Sequence, residues 1–144
     1  MHPAALPGDQ LIDDCEITFT RRSGPGGQHR NKVESAVVLV HRPTGFRAEA
    51  NERRSQHENR DVALFRLRVK LAVEFRPVAD DRGPVSELWR SRCHDGRIAV
   101  RASHDDFPAL LAEAMDRVAR HEFDVAAAAE PLGITTSQLL KLLR

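Results

Sequence analysis

The sequence predicts an α+β fold: a small mixed β-sheet of about three strands packed on one long helix, with a C-terminal helical appendage. Three observations predict it. Residues 16–20 alternate apolar and polar side chains, residues 36–41 form an apolar run rich in valine, and residues 58–75 repeat apolar residues at helical spacing. With 144 residues, the chain is long enough for a small domain and an appendage.

The first half of the chain provides the strands. Residues 1–15 contain prolines and a glycine, and they predict a flexible N-terminal segment. After the strand at 16–20 and a long loop, the strand at 36–41 ends at the turn Pro43-Thr44-Gly45. Residues 46–50 then alternate apolar and charged side chains, which predicts a third strand.

The helix predicted at 58–75 completes this first region, and we expect one domain over residues 16–76. Residues 77–84, with two prolines and a glycine, predict a linker.

Residues 85–144 predict a mostly helical region. A helix over 85–92 and a short strand within 96–102 precede three further helices, for which the sequence offers caps at Asp105 or Asp106, at Asp124, and at Thr135 or Thr136. The last two helices resemble a helix-turn-helix unit. A purely structural bundle is favoured, because the final helix is rich in leucine and has few side chains suited to base edges.

The charge distribution indicates which part of the chain faces phosphate. The net charge is only +1, but residues 16–76 hold thirteen basic and seven acidic groups, a net charge of +6. The two cysteines are not paired in a metal-binding spacing, so we expect reduced thiols, no metal site and no cofactor. No stretch approaches twenty apolar residues, so we expect no membrane contact and a cytoplasmic protein.

One loop, residues 21–32, holds the most informative sequence in the chain. It reads Arg-Arg-Ser-Gly-Pro-Gly-Gly-Gln-His-Arg-Asn-Lys, with three glycines, four cations and no acid. It lacks the Gly-Lys-Ser/Thr of a nucleotide-binding P-loop and the G-x-G-x-x-G spacing of a dinucleotide site. Such a loop is suited to bringing a small polar group close to a nucleic acid, because glycine permits close backbone approach and cations bind phosphate.

Several sequence blocks follow one another in a characteristic order. They are Gly26-Gly27-Gln28, Asn31-Lys32, Ser35-Ala36-Val37, His41-Arg42-Pro43-Thr44-Gly45, Arg54-Ser55-Gln56 and Asn59-Arg60-Asp61-Val62-Ala63. In this order and spacing, residues 16–73 resemble the catalytic (GGQ) domain of class I peptide chain release factors, in particular the stand-alone type that rescues stalled ribosomes. One departure is Arg30, which replaces the small apolar residue usual there.

The resemblance implies a site and its partners. Gly26, Gly27 and Gln28 would be catalytic, acting on peptidyl-tRNA in the peptidyl transferase centre of the large ribosomal subunit, and a methyltransferase that modifies Gln28 is a further implied partner. The cations expected to contact RNA are Arg21, Arg22, Arg30, Lys32, Arg54 and Arg60. The alternative is solvated charge, and Arg54-Ser55-Gln56 with Asn59 would then fasten the base of the loop and cap the helix.

The function predicted from these residues is codon-independent hydrolysis of the peptidyl-tRNA ester on stalled ribosomes. Codon-reading domains have no room in 144 residues, whereas the C-terminus is acidic where known small rescue factors carry a basic tail. The alternative is a non-catalytic RNA- or DNA-binding protein that uses the C-terminal helices. A third hypothesis, motivated by Arg30, is hydrolysis of a different ester linked to transfer RNA.

Overall fold

The computed structural model describes residues 2–20, 35–76 and 84–143. The chain divides into two compact units, one of residues 6–70 and one of residues 71–144 together with residues 1–5. The predicted linker at 77–84 lies outside the described residues except for Pro84. The predicted α+β class is confirmed, since both helices and antiparallel sheets are present.

The first unit contains the sheet and most of the long helix. Its elements are α1 (Gly8–Asp13), β1 (Cys15–Thr20), β2 (Ala36–His41), β3 (Arg47–Ala50) and α2 (Gln56–Glu74), whose last turn belongs to the second unit. The three strands and the long helix were all expected from the sequence.

The three-stranded sheet has the order β1-β2-β3, and both strand pairs are antiparallel. The expectation of a mixed sheet is therefore corrected, because the register of both strand pairs is antiparallel and the sheet contains no parallel pair among the described residues. Val37 and Leu39 are fully buried and pair with Ala50 and Ala48, so one face of β2 and β3 forms the core.

The β2–β3 turn is closed by side-chain as well as backbone hydrogen bonds. The His41 N–H donates to Phe46 O at 2.7 Å, and Gly45 has a positive φ of 76° that favours glycine. The Thr44 hydroxyl accepts from the Phe46 N–H at 3.2 Å and lies 2.8 Å from His41 Nδ1. The predicted turn at Pro43-Thr44-Gly45 is thus confirmed.

The long helix is tied to the outer strand of the sheet. Arg66 Nη1 donates to Glu49 O at 2.9 Å, and Lys70 Nζ donates to Arg47 O at 3.4 Å. On the core side of the helix, Ala63 and Leu67 have no exposed surface. The expected packing of the sheet on the helix is confirmed by these contacts.

The N-terminal segment contains two short helical elements where the sequence predicts flexibility. Pro3–Ala5 forms a 3-10 turn in the second unit, and α1 follows Pro7 in the first. Leu11 of α1 is fully buried, and a Cβ at Gly8 would lie 2.9 Å from Leu64 Cδ2. Tertiary contacts of this kind stabilise a helix too short to form alone.

The second unit is built from short helices and one hairpin. Its elements after α2 are α3 (Glu87–Arg92), β4 (Cys93–His94), β5 (Arg97–Ile98), α4 (Phe107–Arg120), α5 (Val125–Leu132) and α6 (Thr136–Leu142). The expected strand within 96–102 is confirmed only at β5. Its partner β4 was not expected, because two residues are too few to show a periodicity.

Two predicted caps of the last helices are confirmed. The Asp124 side chain accepts from the Ala127 N–H at 3.1 Å, and the Thr135 hydroxyl accepts from the Gln138 N–H at 3.2 Å. Asp106 precedes α4 as expected but makes no capping hydrogen bond with its side chain, which is paired with Arg92 at 2.8 Å.

The core of the second unit centres on Trp89. This residue is fully buried, and its indole N–H donates to Leu132 O at 2.7 Å. The backbone N–H and hydroxyl of Ser86 donate to Glu113 at 2.9 Å and 2.6 Å, which joins the start of α3 to α4. Among the described residues, no helix is both long and apolar enough to cross a membrane.

Candidate functional site

The predicted catalytic residues Gly26, Gly27 and Gln28 lie outside the described residues. The same is true of four predicted RNA contacts, which are Arg21, Arg22, Arg30 and Lys32. The structure does describe both ends of this segment. Thr20 ends β1 and pairs directly with Ala36 at the start of β2, so the segment leaves the sheet and returns to it at one point.

A buried amide fixes the returning end of that segment. Asn59 has no exposed surface, and its Nδ2 donates to Ser35 O at 2.7 Å and to Arg53 O at 2.9 Å. Its Oδ1 accepts from the Arg53 N–H at 2.9 Å. One side chain on the first turn of α2 therefore joins the residue before β2 to the connection that leads into the helix.

The connection before α2 has its own cap. The Ser55 hydroxyl accepts from the Glu58 N–H at 3.3 Å, as N-cap residues do. Arg54-Ser55-Gln56 and Asn59 were expected to fasten the base of the loop and cap the helix, and these hydrogen bonds confirm that role for Ser55 and Asn59.

Sequence reasoning missed a charge pair at the same connection. The two Nη atoms of Arg66 each donate to one carboxylate oxygen of Glu52 at 2.9 Å, and these bonds hold the pKa of Glu52 below its usual value. A bidentate pair of this kind fixes geometry as well as charge. No spacing rule reveals it, because the two residues belong to different elements.

The two remaining predicted RNA contacts differ in exposure. Arg54 is exposed, whereas Arg60 is half-buried, and Arg60 Nε has no hydrogen-bond partner within the described part of the chain. Nothing in the described geometry brings these two cations to a phosphate, and their RNA contacts stay a prediction.

Two buried titratable groups of the first unit lie away from the ends of the loop. Burial raises the pKa of Cys15 and lowers the pKa of His41, and these residues pair with each other at the opposite end of β1 and β2 from Thr20 and Ala36. At the rise of a strand, that separation is about 17 Å. Neither group is therefore placed to act as a base for chemistry at the base of the loop.

The predicted helix-turn-helix-like pair corresponds to α5 and α6, joined through Gly133 at a positive φ of 72°. The exposed side of α6 carries Leu140, which is 49% exposed, beside the single cation Lys141. Whether this pair contacts nucleic acid stays a prediction. In residues 2–20, 35–76 and 84–143, no three His, Cys, Asp or Glu side chains cluster as metal ligands do.

Comparisons with known proteins identify the family of the chain. The RF-1 domain model matches residues 11–91, which is more than half of the chain. Peptide chain release factor 1 of Caldicellulosiruptor bescii is 52% identical over 96 residues, which cover 67% of this chain and 26% of that protein.

Two other relatives extend the comparison. Peptide chain release factor 1 of Acidiphilium cryptum is 36% identical over 136 residues, which cover 84% of this chain and 38% of that protein. The chloroplastic peptide chain release factor PrfB1 of Arabidopsis thaliana is 51% identical over 61 residues, or 42% of this chain and 13% of that protein.

The chain thus spans between about an eighth and two fifths of the length of these three relatives. The matched range includes the sheet, the long helix and the segment that carries Gly26-Gly27-Gln28. The chain belongs to the RF-1 domain family, the catalytic domain family of class I peptide chain release factors.

Proposed function

We propose that this chain hydrolyses the ester that links a nascent peptide to transfer RNA, in the peptidyl transferase centre of the ribosome, without reading a codon. Its substrate would be peptidyl-tRNA on stalled complexes, and its place of action the cytoplasm. No metal or cofactor takes part in this proposal.

The observation that carries the proposal is the way in which the glycine-rich loop is anchored. The segment that carries the loop starts and returns at the Thr20–Ala36 pair, and buried Asn59 holds the backbone of Ser35, three residues after the loop. A fixed base permits a glycine-containing tip to be presented reproducibly to a reacting group, and such positioning contributes much of the rate in enzymes. Membership of the RF-1 domain family supports the same role.

The proposed chemistry uses the main chain of the tip. The Gln28 backbone N–H would donate to the leaving 3′ oxygen as negative charge develops on it, which lowers the barrier as an oxyanion hole does. The Gln28 side-chain amide would hold the attacking water and exclude larger nucleophiles. Gly26 and Gly27 would allow the backbone to approach RNA, since neither carries a Cβ.

This chemistry needs no strong general base within the protein. The ester is already activated, and a placed water with a stabilised leaving group suffices. A methyltransferase acting on the Gln28 amide is a proposed partner, because the family resemblance implies this modification. Intact-mass measurement of the chain purified from its own cells tests that partner.

The proposed codon independence refers to these 144 residues only. The RF-1 domain match covers residues 11–91, and a small helical unit follows whose last described helix ends at Leu142. The curated relatives are named peptide chain release factors, so the rescue of stalled ribosomes is the part of this proposal that goes beyond their names.

The experiment that tests the proposal measures peptide release from purified ribosomes that hold peptidyl-tRNA. Three templates are compared: a messenger that ends in the P site, one with a stop codon in the A site, and one with a sense codon there. We expect release above the spontaneous rate, with no preference for the stop codon over the empty site. Release confined to stop codons would contradict codon independence, and no release on any template would contradict the activity.

The non-catalytic alternative makes a different prediction in the same assay. A protein that only binds RNA or DNA through α5 and α6 would bind ribosomes and release no peptide. In that case the exposed side of α6 would have to contact the nucleic acid, although it carries the exposed Leu140 and a single cation, Lys141.

A further inference from the structure

A groove in the second unit lies between the segment that follows the β4–β5 hairpin and the last helix, α6. Its volume is about 400 Å³, within the range of peptide- and ligand-sized sites. One wall is formed by Ile98, Ala99, Val100 and Ala102, and the other is the side of α6 that carries Gln138, Lys141 and Leu142. Phe107 contributes to the lining as well.

The strand wall of this groove has an unpaired backbone edge. In the hairpin, His94 pairs with Arg97 and Cys93 with Ile98, and the Ala99 N–H donates to Arg92 O at 3.0 Å. Hydrogen-bonded and non-hydrogen-bonded pairs alternate in antiparallel strands. The N–H and C=O of Ile98 therefore face away from β4.

The same edge continues on both sides of Ile98. Gly96 O accepts from the Thr135 N–H at 3.0 Å, so the hairpin contacts the residue that precedes α6. Val100 lies two residues beyond Ile98, past the end of β5, and its backbone makes no hydrogen bond within the described part of the chain. Unpaired strand edges are templates for another strand unless they are blocked.

The rim of the groove is positively charged. Lys141 lines it, and Arg97 and Arg101 flank its strand wall in sequence. All three residues are exposed, and their side chains form no ion pair or hydrogen bond with the residues that the structure describes.

We propose that this groove binds an extended, acidic peptide segment of a partner protein, which adds as a strand to the edge formed by Ile98 and Val100. Its backbone would pair with that edge, alternate apolar side chains would enter the groove beside Leu142 and Phe107, and its carboxylates would face Lys141 and the two arginines. Addition of a strand to a sheet edge is a common mode of peptide recognition. The proposal is independent of the one made for the glycine-rich loop.

The observations favour an acidic peptide over the other occupants. A second copy of this chain would bring the same cations together, and like charges in a contact oppose association. Single-stranded RNA needs aromatic faces on which its bases stack. The one aromatic side chain in the groove, Phe107, is 8% exposed, so its ring is already covered by this unit.

The test uses the full chain, labelled with ¹⁵N, and a pool of synthetic hexapeptides with Val or Ile alternating with Asp or Glu. We expect shifts of the amide resonances of Ile98 and Val100, with a Kd of about 1 mM or tighter. N-methylation of one alternate set of peptide amides should weaken binding by about tenfold, because it removes the pairing hydrogen bonds. Methylation of the other set should change the Kd by less than about twofold, since those amides face away.

A matched pair of protein variants localises the site. Lys141→Glu should weaken binding of the acidic pool by about tenfold. Arg90→Glu makes the same charge change on an exposed residue of α3 outside the groove, and it should change the Kd by less than about twofold. Both residues are on the surface, so both variants are expected to keep the amide spectrum of the folded chain.

The proposal would be overturned if the pool at about 1 mM shifted no amide resonance, or if both methylation patterns changed the Kd equally. It would also be overturned if Lys141→Glu and Arg90→Glu changed the Kd equally, or if a pool with Lys in place of the acids bound equally well. Displacement of the acidic pool by an RNA oligonucleotide would overturn it as well. A concentration-dependent dimer that the Lys141→Glu substitution dissolves would also contradict it, by assigning the groove to a second copy.

Discussion

At the scale of single residues, Asn59 does more for the candidate site than any other described side chain. Its amide uses both donors and its acceptor on the backbone of Ser35 and Arg53, in a fully buried position. A buried amide without partners costs stability, whereas a fully paired one specifies a single arrangement. We therefore propose that Asn59 acts as a positioning residue for the loop.

Replacing Asn59 by alanine is expected to affect stability and release together. The unpaired carbonyls and N–H left behind should lower the free energy of unfolding by about 2–4 kcal/mol. Peptide release by the folded, ribosome-bound fraction should fall by about tenfold or more, because a misplaced tip loses its orientation. Denaturant unfolding and single-turnover release measure the two effects.

The control is Asn51→Ala, at an exposed asparagine of the same connection. It should leave both quantities within error of the wild-type chain. If Asn59→Ala lowered stability and yet released peptide at the full rate, Asn59 would be a structural residue only.

His41 predicts a pH dependence of stability. Burial lowers its pKa below the ordinary 6.5, and the Thr44 hydroxyl, which accepts from the Phe46 N–H, is free to donate to a neutral Nδ1. The unfolded chain binds a proton at a higher pH than the folded chain does. The stabilisation is therefore complete above pH 6.5 and is lost as the pH falls from there through the lower pKa of the folded state.

The measurement is the free energy of unfolding as a function of pH. Between pH 6.5 and the folded pKa, His41 should contribute a loss of at most about 1.4 kcal/mol for each pH unit. His41→Gln should reduce this dependence without removing it, since burial also lowers the pKa of His2. The exposed His94, replaced by Gln, serves as the control, and an unchanged slope in His41→Gln would refute the assignment.

At the scale of elements, the sequence predicted what local rules determine. Asp124 and Thr135 were predictable as caps because their side chains can accept a hydrogen bond from the backbone N–H three residues later. β2 was predictable from its apolar run. Elements that depend on distant contacts were not predictable in this way. The helix at Gly8–Asp13, which buries Leu11 within its unit, is an example. The hairpin β4–β5 is local, but each of its strands has only two residues, too few to show a periodicity.

The Thr135 cap offers a prediction with a neighbouring control. Thr135→Ala removes the acceptor for the Gln138 N–H and should destabilise the second unit by about 1 kcal/mol. Thr136→Ala changes the next residue, which begins α6 and is exposed, and it should change the stability by less than about 0.5 kcal/mol. Thermal unfolding measures the Tm of both variants. Equal shifts of the Tm would show that the hydroxyl of Thr135 does not act as a cap.

At the scale of the whole molecule, the class of the fold was predictable, and the direction of the strands was not. Periodicity shows which residues form strands but carries no information on parallel or antiparallel pairing, so the mixed sheet was wrong. The catalytic residues of the candidate site stay a prediction, since Gly26, Gly27 and Gln28 lie outside the described residues. The Glu52–Arg66 pair was not predictable, since it depends on how two elements meet.

The concentration of positive charge in residues 16–76 predicts salt-dependent binding to ribosomes. Each phosphate contact by a cation should contribute about 0.7–0.9 to the slope of log K against log salt concentration. Neutralising Arg21, Arg22, Arg30 and Lys32 with glutamine should therefore reduce the slope by about 3. Filter binding at several salt concentrations measures it.

The control for the salt series is Arg90→Gln, an exposed arginine of α3 in the second unit. It should leave the slope unchanged. Equal slopes for the fourfold variant and the wild-type chain would mean that the loop cations do not contact phosphate.

The most direct test of the account is single-turnover peptide release by Gly27→Ala, measured with ribosomes saturated by the variant. The proposed main-chain hydrogen bond to the leaving oxygen would require a tip without a Cβ at this position, so we expect binding close to that of the wild-type chain and release at the spontaneous rate. Gln28→Ala, which keeps the backbone N–H, should retain part of the activity. Full release by Gly27→Ala would contradict the proposed chemistry.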